Sequence, residues 1–209
     1  MIEIRNLNKT FYKNTPDEAN IFTNLNLNFP AGQSTAIIGP NGCGKSTLLN
    51  MISGSLKQDS GEILVDDILI SEMSEEKRAN FIGKVNQDPS QGVAPSLTRM
   101  ENMALALKKG EKFSLKNLRK NTDKELILEK LEGMGLGLEN KLNTKVKFLS
   151  GGQRQSLSLL MTSLNKPKVL LLDEHTAALD PKTSKITMEK TKALIEKEKM
   201  TTIMISHDF

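Results

Sequence analysis

The sequence predicts an α/β protein with an antiparallel β region at its N-terminus and a helical region inserted into the α/β body. Three observations predict it. Along the first thirty residues apolar and polar side chains alternate. Leu25, Leu27 and Phe29 take turns with Asn24, Asn26 and Asn28, the period-two pattern of an antiparallel sheet with one wet face. Two short apolar runs, Thr35-Ala-Ile-Ile38 and Val169-Leu-Leu-Leu172, read as strands, the second of them buried. Between them, from about Asp88 to Lys166, apolar residues recur at helical spacing and no strand pattern stands out.

Each element has its own signal. Ile2, Ile4 and Leu7 mark a first strand and Ile21 to Phe29 a second, joined by a polar loop from Lys13 to Asn20. The strand at 35–38 enters a glycine-rich turn, then a helix carrying Leu48, Leu49 and Ile52 that Gly54 ends. Gly61 to Ile70 reads as a strand pair. Ser74, followed by Glu75 and Glu76, marks a helix start with acids in its first turn. Phe81 to Val85 is a further strand, ending at Gln87. In the inserted region Thr98 and Glu101 form a capping-box pattern ahead of Met103, Leu105 and Leu107. Lys108 to Thr122 is lysine-rich and reads as an exposed loop. Ile127, Leu128, Leu131 and Met134 share one helical face. After Pro167 the α/β pattern returns. Asp180-Pro181 opens a helix with cap and proline in their preferred places, and Thr201 to Ile205 is the last strand.

Length and composition bound the function. The 209 residues suit one domain, with about 1–87 and 167–209 forming the α/β core and its β region, and about 88–166 the helical part. The 29 Lys+Arg against 25 Asp+Glu leave +4, with both signs mixed along the chain, so no nucleic-acid partner is expected. No apolar run approaches the roughly 20 residues that span a bilayer. The start, Met1-Ile-Glu-Ile-Arg-Asn6, lacks the apolar core of a signal peptide. Cys43 is the single cysteine, so there is no internal disulfide and no cysteine-based zinc site.

The strongest chemical signal is Gly39-Pro40-Asn41-Gly42-Cys43-Gly44-Lys45-Ser46-Thr47, which fits G-x-x-x-x-G-K-[ST] between a predicted strand and a predicted helix. Glycines let the backbone wrap a phosphate with its N–H groups, and the helix N-terminus adds partial positive charge. Lys45 can reach the β- and γ-phosphates, and the Ser46 hydroxyl is placed for Mg²⁺. A second signal is Val169 to Asp173-Glu174, a buried strand with two carboxylates at its C-terminal end, the edge where α/β sheets bind ligands. Asp173 suits the Mg²⁺ shell. Glu174 is placed to orient or deprotonate an attacking water. The third is Leu149-Ser150-Gly151-Gly152-Gln153-Arg154-Gln155, where Ser150 and Gln153 make a capping box and Leu157, Leu160, Met161 and Leu164 mark an apolar helix face. Capping chemistry alone leaves this segment either an ordinary capped helix or a second anion site.

Taken together these motifs resemble the ATP-binding-cassette (ABC) ATPases. Ser150-Gly151-Gly152-Gln153, just upstream of the strand ending in Asp173-Glu174, resembles their signature. Gln87 resembles the Q-loop glutamine, Ala178-Leu179-Asp180 the D-loop, and His207 in Ser206-His207-Asp208 the switch histidine. Phe11 resembles the aromatic that stacks on adenine, with Tyr12 as the alternative.

The resemblance implies an ATPase using ATP and Mg²⁺. Lys45, Gln87, Glu174 and His207 would be catalytic. Phe11, residues 39–47, Ser150 to Gln153 and Asp180 would bind nucleotide, and Ser46, Gln87 and Asp173 would hold the metal. It implies a head-to-tail dimer of two such subunits on the cytoplasmic face of the membrane. A separate transmembrane permease and, for an importer, an extracytoplasmic substrate-binding protein would complete the system. The segments 86–95 and 173–180 are similar to ATPases of bacterial importers paired with lipoprotein receptors, some of which carry aromatic amino acids. A ribosome- or nucleic-acid-directed cassette and a low-turnover regulator are the other functions open to such a chain. Three features depart from the family. Cys43 stands where a small residue, often serine, is usual, His175 stands where proline is usual, and the chain stops at Phe209, which implies an abbreviated C-terminal edge.

Overall fold

The computed structural model describes residues 1–107, 121–135 and 137–206. The chain divides into two compact units. The first is Met1–Lys84, Pro167–Glu174 and Lys199–Phe209, and the second is Val85–Lys166 and His175–Glu198.

The first unit holds the predicted strands as two sheets. In the antiparallel one, β1 (Ile2–Phe11), β2 (Ala19–Phe29), β4 (Ser60–Val65) and β5 (Ile68–Leu69) run in the order β2-β1-β4-β5. Ile2 pairs with Phe29, Ile4 with Leu27 and Leu7 with Leu25, which sets the apolar residues of both strands on one face. The asparagines do more than wet the other face. The β1–β2 register slips on either side of Leu7, and Asn6 and Asn24 adopt φ of 48° and 49°. Few side chains other than asparagine enter that left-handed region at low cost. Each bulge is locked from the opposite strand: Asn6 N–H donates to Asn26 Oδ1 and Asn24 N–H to Asn8 Oδ1, both at 2.9 Å.

The parallel sheet has the order β3-β8-β7-β6, from β3 (Ser34–Ile37), β8 (Thr201–Ile205), β7 (Val169–Asp173) and β6 (Ile82–Val85). Helix α1 (Lys45–Ser53) follows β3 and buries Leu48, Leu49, Met51 and Ile52. Its C-cap Gly54 has φ 91°, a conformation that glycine enters freely. These side chains join Ile2, Ile4, Ile63 and Val65 of the antiparallel sheet and Leu171 and Ile203 of the parallel one in a single core. Register then places the site. Ile205 of β8 is level with Ile37 of β3 on one side and Asp173 of β7 on the other. Three strands therefore end in line at the C-terminal edge of the sheet.

Two elements form where their sequence signals place them, each with a local detail the signals do not carry. The helix after Ser74 is a single turn, α2 (Glu75–Arg78), and the Ser74 side chain makes no capping bond. Arg78 anchors this turn instead: its buried guanidinium donates to the carbonyls of Met51, Ser71 and Met73 at 2.6–3.0 Å. Strand β6 ends at Val85, two residues before Gln87.

The second unit is helical: α3 (Arg99–Leu107), α4 (Asn121–Met134), α5 (Gly151–Ser163) and α6 (Pro181–Glu198), the last from the stretch the sequence placed with the α/β core, with 3-10 turns at Glu139–Lys141 and Val146–Phe148. The Thr98–Glu101 box forms. Thr98 N–H donates to Glu101 Oε2 at 2.8 Å, and Glu101 N–H returns a bond to Thr98 Oγ1 at 3.2 Å. Helix α5 packs on α3, α4 and α6, so its buried face is wider than the leucine pattern suggested and includes Gln155, Ser156 and Ser158. Residues 108–120, most of the stretch expected as an exposed loop, lie outside the described residues; its last two, Asn121 and Thr122, already belong to α4. Among the described residues no helix is long and apolar enough to cross a membrane.

Candidate active site

The glycine-rich turn leaves β3 and runs into α1. Gly42 and Gly44 have φ of 81° and 98°, and Gly44 occupies the helix N-cap with no side-chain cap. The first N–H groups of α1 are thus left for an external anion. A Cβ on Gly44 would lie 2.7 Å from Ile21 Cγ2 and 3.0 Å from Phe22 Cζ. Strand β2 thus presses on the turn from outside, and only glycine fits. Lys45 is 8% exposed. Its Nζ donates to the carbonyls of Gly39 and Pro40 at 2.7 and 2.9 Å, which holds the ammonium inside the curve of the turn. Cys43 is exposed, and its Sγ sits 3.0 Å from where a Gly39 Cβ would be.

Ser46 and Asp173 are 127 positions apart, yet Ser46 Oγ donates to Asp173 Oδ1 at 3.0 Å. The level strand ends produce this meeting, since β7 stops at Asp173 where β3 has just opened into the turn. A hydroxyl beside a carboxylate, next to a glycine-rich turn with free helix N–H groups, fits Mg²⁺, which takes one or two protein ligands and fills its octahedron with phosphate oxygens and water. Among the described residues no cluster of three or more His, Cys, Asp or Glu side chains offers an all-protein cage, and such an ion needs none. One turn along α1 from Ser46, Asn50 Oδ1 accepts from Lys84 Nζ of β6 at 2.5 Å. Burial pushes the Lys84 ammonium below its ordinary value, and the Asp173 and Glu75 carboxylates partly restore it. Lys84 is a cation in the neighbourhood of Asp173 that no motif announces.

Glu174 follows β7 with φ 45°, a left-handed backbone that costs a non-glycine residue about 1 kcal/mol. His207 lies outside the described residues; the chain leaves β8 at Ser206. Phe11 ends β1 opposite Ala19. It is half-buried, with Lys9 Nζ 5.1 Å from its ring centre, whereas Tyr12 is 70% exposed. Asp59 steadies this strand end. It accepts Thr10 N–H at 2.6 Å and pairs with Lys9 and Lys13 at 3.4 and 3.2 Å. Those hydrogen bonds and charges hold its carboxyl below the ordinary value against desolvation, the largest single influence, which raises it.

In the helical unit, Gln87 is exposed, while the carbonyl of its neighbour Asn86 accepts from Gln155 Nε2 at 3.0 Å. The Ser150 capping box is complete: Gln153 N–H donates to Ser150 Oγ at 3.3 Å and Ser150 N–H to Gln153 Oε1 at 3.2 Å. Gly152, unlike Gly151, has a packing reason. A Cβ on Gly151 would lie 3.5 Å from Leu179 Cδ2, and one on Gly152 only 2.0 Å from Thr183 Cγ2. Asp180 caps α6 by accepting Thr183 N–H at 3.1 Å, and the bonds from Thr183 hold its carboxyl below the ordinary value. Gly152→Ala is therefore expected to push α5 off α6 and destabilise the protein by about 2 kcal/mol or more. Urea unfolding of the two proteins side by side measures it; equal midpoints would refute the close approach.

His175, the first residue after Glu174, is 2% exposed, and burial pushes its imidazole down to about 4. The folded state binds this proton less readily than the unfolded chain does. Stability from this residue is therefore full above the unfolded value of about 6.5 and is lost as the pH falls toward 4. Between pH 7.5 and 5 the loss amounts to about 2 kcal/mol. Urea midpoints across that range should fall for the parent protein and flatten in His175→Gln; parallel slopes would refute it.

Lys84, Asn50 and Asp59 were invisible in the sequence because each matters only through a partner far along the chain.

A family model described as ABC transporter matches residues 22–177. The tyrosine transport ATP-binding protein of Clostridioides difficile (strain R20291) is 49% identical over 209 residues, covering all of this chain and 82% of that protein. The spermidine/putrescine import ATP-binding protein PotA of Mycoplasma mycoides subsp. mycoides SC is 35% identical over 210 residues; there the chain spans about half of the relative, 54%. Among solved structures, the dimeric post-hydrolysis state of the ATP-binding cassette MJ0796 bound to ADP and Pi matches with a TM-score of 0.80 at 34% identity. That match covers all of this chain and 88% of that one.

Proposed function

Since this chain belongs to the ABC transporter ATPase family, we propose that it is the ATP-hydrolysing subunit of a bacterial importer, driving a small solute such as an aromatic amino acid through a separate permease. One observation supports this most: Ser46 meets Asp173 at the C-terminal edge of the parallel sheet, beside an uncapped helix start and the Lys45 ammonium held in the turn. The resemblance of the whole chain to a tyrosine transport ATPase supports the importer and the solute class.

In this reading the backbone N–H groups of residues 41–47 and the Lys45 ammonium bind the β- and γ-phosphates. Phe11 stacks on the adenine. Ser46, Asp173 and Gln87 hold Mg²⁺, which neutralises phosphate charge when bound. Glu174 orients an attacking water and takes its proton, and His207 donates a hydrogen bond to the γ-phosphate. A second subunit supplies Ser150, Gly151, Gly152, Gln153 and Asp180 head-to-tail, so the nucleotide closes the dimer and hydrolysis releases it. The subunit sits on the cytoplasmic face of the membrane against the permease, which receives solute from an extracytoplasmic binding protein.

The test is reconstitution with the permease encoded beside its gene. Solute uptake should require this chain and ATP. Ser150→Arg should leave ATP binding by the isolated subunit intact and abolish hydrolysis and uptake. Lost ATP affinity in the isolated Ser150→Arg subunit would show that Ser150 acts on its own chain's nucleotide. Uptake that proceeds without the chain would overturn the importer.

A further inference from the structure

We infer that His175 is a positioning residue: through Thr191 of α6 it fixes the loop 176–180, and with it the signature glycines, in the geometry that hydrolysis needs. The inference rests on the reading above and adds a residue to it.

The hydrogen-bond chain carries the argument. Thr191 Oγ1 donates its one proton to the Thr187 carbonyl at 2.8 Å. Its oxygen, 3.1 Å from His175 Nε2, must then accept, so the imidazole carries its proton on Nε2. Both side chains are buried. A buried donor and acceptor in that setting lose their bond only by leaving a polar group unsatisfied, which is costly. The bond therefore holds His175 against the middle of α6.

The loop is thus closed at both ends. At its start His175 grips Thr191. At its finish Asp180 caps α6 through Thr183 N–H. Within it Leu179 N–H donates to the Thr176 carbonyl at 3.1 Å. Leu179 and Thr183 are also the side chains that approach Gly151 and Gly152. Loop 176–180, the N-terminus of α6 and the N-terminus of α5 consequently form one packed block, and the His175–Thr191 bond is its tie to the residue after Glu174. A break in that tie frees the block without touching the phosphate-binding turn.

Steady-state ATP hydrolysis and binding of a fluorescent ATP analogue decide it. Thr191→Val keeps the shape and removes the hydroxyl, and His175→Leu removes the donor. Each should lower kcat about tenfold, a 1.4 kcal/mol change in barrier, with nucleotide affinity within twofold of the parent. Thr191→Ser should restore kcat to within twofold. The double variant His175→Leu/Thr191→Val should be no slower than either single one, because both break one bond. Unchanged kcat in the single variants, even with a lowered Tm, would overturn the inference and leave the bond a packing feature. Equal losses for Thr191→Ser and Thr191→Val would overturn it too. Lys45→Ala, run alongside, separates the two levels. If it still hydrolyses ATP, the site reading fails. If it is dead while the His175 and Thr191 variants are normal, only this inference fails.

Discussion

Lys45→Ala is expected to weaken ATP binding about a hundredfold or more. The ammonium lies inside the glycine-rich turn, held by the Gly39 and Pro40 carbonyls, so it is pre-positioned for phosphate oxygens and gives up little freedom on binding. Each charge-assisted hydrogen bond to phosphate contributes about 1.5–3 kcal/mol. Two such bonds account for two or more orders of magnitude in Kd. The substitution also strips two carbonyls of their donor, so the turn itself loosens. Titration with a fluorescent ATP analogue measures the effect, and a Tm within a few degrees of the parent excludes unfolding as its cause. An unchanged Kd would remove the turn from the nucleotide site.

Glu174→Gln is expected to lower kcat by about 10²–10⁴, the usual contribution of a positioned general base, while ATP stays bound. Glutamine keeps the shape and length of the side chain, so the φ of 45° at this position and the packing around it persist. What it loses is the ability to take a proton. A subunit that binds ATP and cannot cleave it should accumulate as the closed dimer. Light scattering after size exclusion with Mg-ATP would show that dimer in the variant, against a mixture in the parent. A monomeric variant that turns over normally would reassign the base.

Much of the fold was legible in the chain because its signals are local. Alternating Leu25, Leu27 and Phe29 against asparagines is a statement about two faces of one strand, and β2 honours it. Gly54 as a left-handed cap, the Thr98–Glu101 and Ser150–Gln153 boxes, and Asp180 ahead of Pro181 each involve residues within four positions of one another. The phosphate turn is legible for the same reason. What failed to show was of another kind. Ser74 and two acids marked the start of α2, but the buried Arg78 that ties this turn to carbonyls at Met51 and Ser71 has no local pattern to reveal it. The apolar stripe on α5 gave no hint that Gln155, Ser156 and Ser158 are buried beside it, since that depends on three helices arriving around it.

The sequence by itself determined the elements, the glycine-rich turn and the identity of the carboxylates, because backbone conformation and side-chain chemistry are properties of short segments. Only the tertiary structure decided which of these residues act together. The strand order β3-β8-β7-β6 and the level register at Ile37, Ile205 and Asp173 bring Ser46 within 3.0 Å of Asp173. The approach of Thr183 explains why position 152 must be glycine, and the hydroxyl of Thr191 gives His175 a purpose. Such pairings are fixed by burying apolar faces between distant segments while pairing most of the buried donors and acceptors. That condition belongs to the folded whole, and no window of the sequence contains it.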